Sequence, residues 1–346
     1  MQAQQCTEFG QYNPKKSKTP AIGPFGREEI HYGDPSDEST HTSVEIVYFA
    51  DDIAFGDAKI SNQTFGVVSQ SEGQAQGIMG LAPDVQAGFA NEGPYSLVLN
   101  SMAKQGVINS RVFSLDLRHA DAETGAVIYG GIDRSKFIGN LEKLPFVRGS
   151  RGEFRLAAKL STMGITNGKS QSFELQGNDT VVMLDSGTTV TRIHPNVAEP
   201  ILEALGARDD GQGYFYVPCS LRSSGGSVDF GFGKTTVRVP MKDFIMDVGS
   251  GRVCYVGLVL TTDQQILGDS VLRAGYFVFD WDNEAVHVAQ AANCGDNDIV
   301  AVGKGPDAVP NIKGKCSDKD AIFTGGPLSR TVGADVSVIF DGTGIR

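Results

Sequence analysis

Short apolar runs separated by Gly, Asn, Asp and Pro make up most of the chain, and the 3.6-residue spacing of an amphipathic helix is scarce. Runs of this length, bounded by turn-forming residues, are typical of β-strands. The pattern therefore predicts a mostly β architecture. The predicted strands include Ser43–Tyr48, Asp52–Phe55, Ser61–Val68, Arg111–Leu117, Ala126–Tyr129 and Tyr276–Asp280.

Two stretches depart from this pattern and predict helices. One spans Tyr95 to Lys104. The other spans Asn196 to Ala207 and follows Pro195, a residue favoured at the first turn of a helix. Both predicted helices are short, so we expect them to be additions to a β fold whose core is formed by strands.

The apolar run Val181–Leu184 leads directly into Asp185, Ser186 and Gly187. Four apolar residues predict a buried strand, and the carboxylate then stands at its end on a tight turn. A carboxylate placed beside a buried strand is costly unless hydrogen bonds hold it, which points to chemistry. The competing interpretation is an aspartate that only caps a turn, as Asp-Ser-Gly readily does.

Length and charge narrow the class of protein. A chain of 346 residues is long enough for two packed units. A formal net charge of −11 disfavours binding to nucleic acid or to an anionic membrane through a basic surface. No apolar run approaches the length of a membrane span.

The five cysteines are too dispersed for a metal site. None forms a Cys-x-x-Cys pair, and none has a histidine at zinc-ligand spacing, so neither a metal nor another cofactor is expected. Disulfides in a secreted protein fit better. Cys294 and Cys316 could pair near the C-terminus; because the number of cysteines is odd, at least one, such as Cys6, is left over.

Two further motifs carry weaker signals. The run Gly231 to Thr235 superficially resembles a phosphate-binding loop, but position 228 is Val and not the required Gly, so a hairpin turn is predicted. Asn62 and Asn178 each begin an Asn-x-Thr sequence, the acceptor pattern for N-linked glycans.

Several motifs in a consistent order resemble the pepsin-like aspartic proteases, and most closely the fungal secreted, candidapepsin-type enzymes. The apolar run before Asp185-Ser186-Gly187-Thr188 matches the loop that carries a catalytic aspartate. The run Gln265 to Gly268 matches the strand that crosses behind this loop. The resemblance covers about Cys6 to Gln290.

The resemblance implies an all-β, bilobal double-ψ β-barrel fold with a few short helices. It places an incomplete N-terminal lobe at residues 1–147 and a C-terminal lobe at residues 148–292. Residues 293–346 lose the pattern and are predicted to be mostly disordered. The family's second-lobe disulfide corresponds to Cys219 and Cys254.

The resemblance also assigns a flap, the hairpin that closes over substrate, to the region of Tyr32, Gly33 and Asp34. Tyr32 matches the flap tyrosine. The residue after Asp34 is Pro35, where the family has Gly; because proline fixes φ and removes a donor, the resemblance does not carry the family's flap mobility over to this chain. Together with Gly187, Thr188 and Thr189, these three residues are the predicted contacts to a polypeptide substrate.

Catalysis in this family needs two aspartates that share a proton around one water, and Asp185 is predicted to be one of them. The sequence contains no second Asp-(Ser/Thr)-Gly. Gly77 to Gly80 repeats the apolar-apolar-Gly pattern of Gln265 to Gly268. Gly268 follows Asp185 by 268 − 185 = 83 positions. Counting the same distance back from Gly80 gives a position before Met1, so the first aspartate is expected there.

The expectation is therefore a chain that lacks the first active-site loop and is inactive alone. No signal peptide precedes Cys6, although the family is secreted, cell-surface or vacuolar. Two alternatives stay open: a catalytically dead pepsin-like protein that binds peptides or proteins, and a half-site protease completed by homodimerisation. A monomer is preferred to the latter, because the chain carries its own flap and its own crossing strand.

Overall fold

The computed structural model describes residues 10–33, 40–84, 88–89, 95–122, 124–149, 151–166, 170–174, 181–249, 252–320 and 337–338. Two compact units divide the chain. The first comprises Met1–Ala82 and Ala90–Val107, and the second comprises Pro83–Phe89 and Ile108–Arg346. Strands predominate in both, with a few short helices, so the predicted all-β class is confirmed.

The first unit is built on a three-stranded antiparallel sheet in the order β1-β2-β3. Its elements are β1 (Arg27–Tyr32), β2 (Thr42–Phe55), β3 (Ala58–Glu72) and α1 (Val98–Lys104), preceded by a 3-10 turn at Pro14–Lys16. The two strands predicted at 43–48 and 52–55 are a single long strand, since pairing with β3 continues through the polar residues between them. Ile60, Leu99 and Met102 are fully buried and join α1 to the sheet.

Asp51 anchors the segment that precedes this sheet. Its carboxylate accepts hydrogen bonds from the Tyr12 hydroxyl at 2.7 Å, from the Thr19 hydroxyl and from the Asp52 backbone N–H at 2.8 Å. The Ser17 side chain has the largest effect and these donors add to it: all stabilise the charged form, so the pKa of Asp51 lies well below its ordinary value. The network fixes residues 12–19 against β2.

Within the described residues, the second unit contains five sheets. Their strand orders are β24-β5-β4-β21-β22-β7, β19-β12-β20-β11-β8, β10-β9-β15-β16, β13-β14-β18-β17 and β23-β6. The strands up to β12 are β4 (Val112–Asp116), β5 (Ala126–Tyr129), β6 (Gly131–Asp133), β7 (Phe137–Pro145), β8 (Ala157–Lys159), β9 (Thr162–Thr166), β10 (Ser170–Glu174), β11 (Val181–Leu184) and β12 (Thr191–Ile193).

The remaining strands complete these sheets. They are β13 (Arg208–Asp209), β14 (Phe215–Pro218), β15 (Ser227–Phe232), β16 (Thr235–Pro240), β17 (Ile245–Asp247), β18 (Val253–Val256), β19 (Leu258–Leu260), β20 (Ile266–Leu267), β21 (Gly275–Asp280), β22 (Ala285–Ala291), β23 (Ile299–Ala301) and β24 (Ser337–Val338). The helices are α2 (Pro195–Leu205), α3 (Met241–Phe244) and α4 (Asp269–Leu272), with 3-10 turns at Arg134–Lys136, Cys219–Ser223 and Asp318–Asp320.

The six-stranded sheet draws on both sides of the predicted lobe boundary at residue 147. β4 pairs with β21, and β7 pairs with β22. Phe113 stacks on Phe279 with ring centroids 4.7 Å apart, and Phe137 stacks on Tyr276 at 5.1 Å. This sheet is the core of the second unit.

Local signals placed α2 correctly. Pro195 occupies the first turn, and His194 Nδ1 accepts a hydrogen bond from the Asn196 N–H at 3.3 Å. Gly206 ends the helix at φ +65°, a left-handed conformation that glycine adopts without steric cost. The predicted turn in the run Gly231 to Thr235 joins β15 to β16, so the hairpin interpretation is confirmed there.

The prediction of a disordered tail is wrong for residues 293–320. β23 pairs with β6, and a disulfide joins Cys294 to Cys316 with a Cα–Cα distance of 5.4 Å. Val302 and Ala308 are buried against the core residues of the six-stranded sheet. These small apolar residues follow no period, so their burial depends on distant partners and not on a local pattern.

None of the helices in the described part of the chain has the length and apolar character needed to span a bilayer.

Candidate active site

Asp185 stands at the end of β11, where two strands meet in parallel. Met183 and Leu184 pair with Ile266 and Leu267 of β20. The Asp185 N–H continues this ladder by donating to the Leu267 carbonyl at 3.1 Å. The backbone before the carboxylate is therefore fixed by the sheet, while the side chain itself is half-buried.

Both carboxylate oxygens of Asp185 accept a hydrogen bond from the loop that follows. The Gly187 N–H donates to Oδ1 at 2.9 Å, and the Thr188 hydroxyl donates to Oδ2 at 2.7 Å. The Thr188 N–H also closes the turn onto the Asp185 carbonyl at 3.2 Å. Donors on both oxygens hold the carboxylate in one orientation.

A strand crossing fixes this loop from behind. The Asp269 N–H donates to the Thr188 carbonyl at 2.8 Å, and the Ser270 N–H donates to the Thr189 carbonyl at 3.0 Å. A Cβ added to Gly268 would lie 2.3 Å from the Thr188 carbonyl oxygen, so only glycine fits at this crossing.

A buried hydroxyl network supports the crossing. The Gly268 N–H donates to Thr191 Oγ1 at 3.1 Å, and the Thr191 N–H donates to Ser270 Oγ at 3.1 Å. Ser270 Oγ donates to the Gly257 carbonyl at 2.6 Å. Thr191 and Ser270 are buried, so each bond is protected from water.

The sequence interpretation missed Asp269 as a member of the site. Burial is the main effect that raises the pKa of Asp269, to about 6; nearby Arg273 lowers it and the charge of Asp185 raises it. Asp269 Oδ2 lies 3.6 Å from Arg273 Nη2. Its position directly after Gly268 could have identified it. Because Gly268 lies against the loop, the side chain of the next residue is also placed near the loop.

Asp185, Gly187, Thr188 and Thr189 form one loop of the second unit. Gly187 and Thr189 are exposed, so the loop presents backbone to solvent beside the carboxylate. Exposed backbone next to an oriented carboxylate can receive an extended ligand. Their contact with substrate stays a prediction.

The residues predicted to form the flap belong to the first unit. Tyr32 is the last residue of β1, pairs with Thr42 and is half-buried, which raises its pKa. Gly33 has φ +114°, and a Cβ there would lie 2.6 Å from the Thr40 carbonyl oxygen, so glycine is required. Asp34 lies outside the described residues, as does Cys6.

A disulfide joins Cys219 to Cys254, as the resemblance implies, with a Cα–Cα distance of 4.9 Å. It links the 3-10 turn that follows β14 to β18. β14 and β18 also pair directly with each other. The bridge reinforces the β13-β14-β18-β17 sheet.

Known proteins resemble this chain over most of its length. The family model described as "Eukaryotic aspartyl protease" matches residues 1–291. The chain is 29% identical to "Probable aspartic-type endopeptidase opsB" of Aspergillus oryzae, over 99% of this chain and 68% of that protein. It is 32% identical to "Candidapepsin" of Candida tropicalis, over 86% of this chain and 70% of that protein.

A third relative is "Secreted aspartic protease 8" of Candida albicans, 33% identical over 82% of this chain and 64% of that protein. The chain belongs to the eukaryotic aspartyl protease family. It spans between 64% and 70% of the length of these relatives.

Proposed function

We propose that this chain carries one half of the catalytic apparatus of an acid-active endopeptidase, with Asp185 as one of two catalytic aspartates. The observation that supports this is the Asp185 carboxylate itself. It is held by Gly187 N–H and the Thr188 hydroxyl at the end of β11, which pairs in parallel with β20. A turn cap would not need the buried support of Thr191 and Ser270 behind it.

The proposed chemistry uses no covalent intermediate. One carboxylate of the pair is ionised and the other protonated, because like charges at close range cannot both ionise. The ionised member removes a proton from a water as its oxygen attacks the scissile peptide carbonyl. The protonated member donates to the carbonyl oxygen, and the pair titrates as a unit.

The proposal requires a second catalytic carboxylate, which is not assigned to a residue of this sequence. The 346-residue sequence holds a single Asp-(Ser/Thr)-Gly, at Asp185. A second loop of this kind must therefore come from outside these residues, and we expect the 346-residue polypeptide alone to be inactive. A polypeptide that contains both loops would act as a monomer.

The substrate in this proposal is an extended polypeptide with bulky apolar residues beside the scissile bond. Tyr32, Gly33 and Asp34 would contact it from the flap, and Gly187, Thr188 and Thr189 from the loop. Two disulfides and the secreted relatives support passage of the chain through an oxidising secretory pathway. We also propose that the boundary between the two lobes lies near residue 147.

The decisive experiment compares the 346-residue chain with its Asp185→Asn variant on an acid-denatured protein substrate. Both are expected to show no cleavage above background. The same pair is then made in a polypeptide extended by the coding sequence upstream of Met1, if that sequence supplies an Asp-(Ser/Thr)-Gly loop. There the parent is expected to cleave at acid pH, and Asp185→Asn to abolish cleavage.

Acid-dependent cleavage by the 346-residue chain that Asp185→Asn removes would contradict the expected inactivity. If that activity rises with the square of protein concentration, a dimer supplies both aspartates. The absence of a second loop in one chain also favours a second candidate, a pepsin-like protein that binds peptides without cleaving them. An extended polypeptide that binds peptides at acid pH and leaves them intact would establish this alternative.

A further inference from the structure

One acceptor sequence on the surface of the first unit has no part in the proposed catalysis. Asn62, Gln63 and Thr64 form an Asn-x-Thr sequence within β3. Such a sequence is modified only if the chain enters the secretory pathway and the asparagine is accessible. The structure shows how this asparagine is presented.

Asn62 lies where the pairing of β2 and β3 is irregular. Asp51 pairs with Gln63 and Ile53 pairs with Ile60, so two residues of β3, Ser61 and Asn62, face the single residue Asp52. An extra residue of this kind is left out of the ladder and turns its side chain away from the regular pleat. Asn62 adopts φ +53°, a left-handed conformation that asparagine tolerates better than most residues.

The backbone on both sides of Asn62 is fixed. The Asn62 N–H donates to Asp52 Oδ1 at 3.0 Å, and Asp52 is itself paired with Lys59 at 2.7 Å. The Gln105 side chain donates to the Ser61 carbonyl at 2.9 Å and accepts from the Ser61 N–H at 2.8 Å. The irregularity is therefore a built feature of the strand.

The side chains at this irregularity point in opposite directions. Gln63 is 4% exposed, and its Nε2 donates to the carbonyls of Thr64 and Ser96. Asn62 is exposed, and its side-chain amide forms no hydrogen bond or ion pair within the described residues. A group attached to Asn62 Nδ2 would extend into solvent without displacing a core contact.

We infer that Asn62 carries an N-linked glycan. The donor is a lipid-linked oligosaccharide pyrophosphate. The Asn62 amide nitrogen forms a bond to C1 of the reducing-end sugar, the bond from that carbon to phosphate oxygen breaks, and the lipid pyrophosphate leaves with the electron pair. The amide loses one proton to a base, and nothing is oxidised or reduced. The inference rests on the proposed secretion and not on catalysis.

The test expresses the 346-residue chain in yeast behind a cleavable secretion leader, fused to a reporter segment that has its own known acceptor. All forms carry Asn178→Gln, because the second acceptor sequence lies outside the described residues. Glycosidase treatment and glycopeptide mass spectrometry are applied to the total cellular pool as well as the medium. A variant that misfolds and is retained is thereby still measured.

The chain with Asn62 intact is expected to carry one glycan besides that of the reporter, on the peptide that contains Asn62. Asn62→Gln and Thr64→Ala should each remove it, whereas Thr64→Ser preserves the acceptor sequence and should keep it. An unmodified Asn62 peptide in a chain whose reporter is glycosylated would overturn the inference. Peptidase assays of the extended polypeptide, made without these acceptor changes, report separately on the proposed function.

Discussion

The first compact unit contains the run Gly77 to Gly80 and the second contains the similar run Gln265 to Gly268, and these two copies of an apolar-apolar-Gly sequence have different structures. Ile266 and Leu267 form β20, which pairs with β11 on one side and β12 on the other, and Leu267 is fully buried. Ile78 and Met79 belong to no strand in the described part of the chain and are 57% and 36% exposed.

The glycines that end the two copies differ in the same way. A Cβ on Gly268 would meet the Thr188 carbonyl oxygen at 2.3 Å, whereas a Cβ on Gly80 would meet no described atom within 4 Å. Gly268 is required because a loop lies directly against it. At Gly80, nothing in the described structure requires a glycine.

The difference shows that four residues of sequence do not determine a strand. β20 forms because strands lie on both sides of it, and because the loop that carries Asp185 passes in front of Gly268, the residue that follows the strand. Strand propensity is a preference for a pleated, half-buried surface and depends on the neighbours that supply it. The loop that carries Asp185 and the strand behind it are thus one structural feature.

The largest expected effect is on the free energy of unfolding, when the second apolar residue of each copy, Leu267 or Met79, is truncated. Leu267→Ala should lower the free energy of unfolding by about 3 kcal/mol, because it removes a fully buried side chain and leaves a cavity. The matched Met79→Ala change should cost less than about 1 kcal/mol, since Met79 is partly exposed. Urea unfolding followed by the fluorescence of Trp281, the single tryptophan, measures the second unit, and circular dichroism measures the whole chain.

Leu267→Met is the control for this pair, because it conserves volume and should cost less than about 1.5 kcal/mol. Equal losses for Leu267→Ala and Met79→Ala would show that both copies are buried in solution. Repeating Met79→Ala in a polypeptide that contains a second Asp-(Ser/Thr)-Gly loop sharpens the comparison. There its cost should rise toward that of Leu267→Ala.

The two copies also mark what the sequence could predict. The strand Val181–Leu184 and helix Pro195–Leu205 were predictable because a short apolar run, a proline and a C-terminal glycine determine them locally. Burial of Val302 and Ala308 was not, because their partners lie in strands more than a hundred residues earlier or in a sheet formed by distant pairing. Asp269 was missed for a similar reason: Arg273 is local, four residues later, but Asp185 and its loop lie far earlier in the sequence.

The second prediction tests the glycines directly. Gly268→Ala should lower the free energy of unfolding by about 2 kcal/mol, because the new methyl group overlaps a backbone carbonyl that cannot move without displacing Asp185. Gly80→Ala should change it by no more than about 0.5 kcal/mol. The same urea titration measures both.

Gly268→Ser extends this test, since a larger side chain should be at least as costly as alanine at the same position. A Gly268→Ala variant as stable as the parent would mean that the loop can retreat from the crossing. The fixed orientation of Asp185 would then not depend on that contact.

The third prediction concerns pH and the residues that follow the two glycines, Asp269 and Leu81. The pKa of Asp269 is raised from 3.8 to about 6, chiefly by burial, so the folded state binds the proton more tightly than the unfolded state between these values. This stabilisation is fully present below about pH 4 and is lost as the pH rises through about 6. Relative to Asp269→Asn, the parent should therefore lose about 1–2 kcal/mol of stability between pH 4 and pH 7, with allowance for partial solvent access.

Urea midpoints of the parent and Asp269→Asn, measured at intervals across that range, give the difference directly. Leu81→Asn is the matched control from the first unit and should shift stability by the same amount at every pH, because leucine does not titrate. Asp185→Asn should narrow the pH-dependent interval, since the charge of Asp185 is one of the effects that raise the pKa of Asp269. A parent and an Asp269→Asn variant whose stabilities run parallel from pH 4 to pH 7 would show that Asp269 is hydrated in solution, and the crossing strand would then present an ordinary surface carboxylate to the loop.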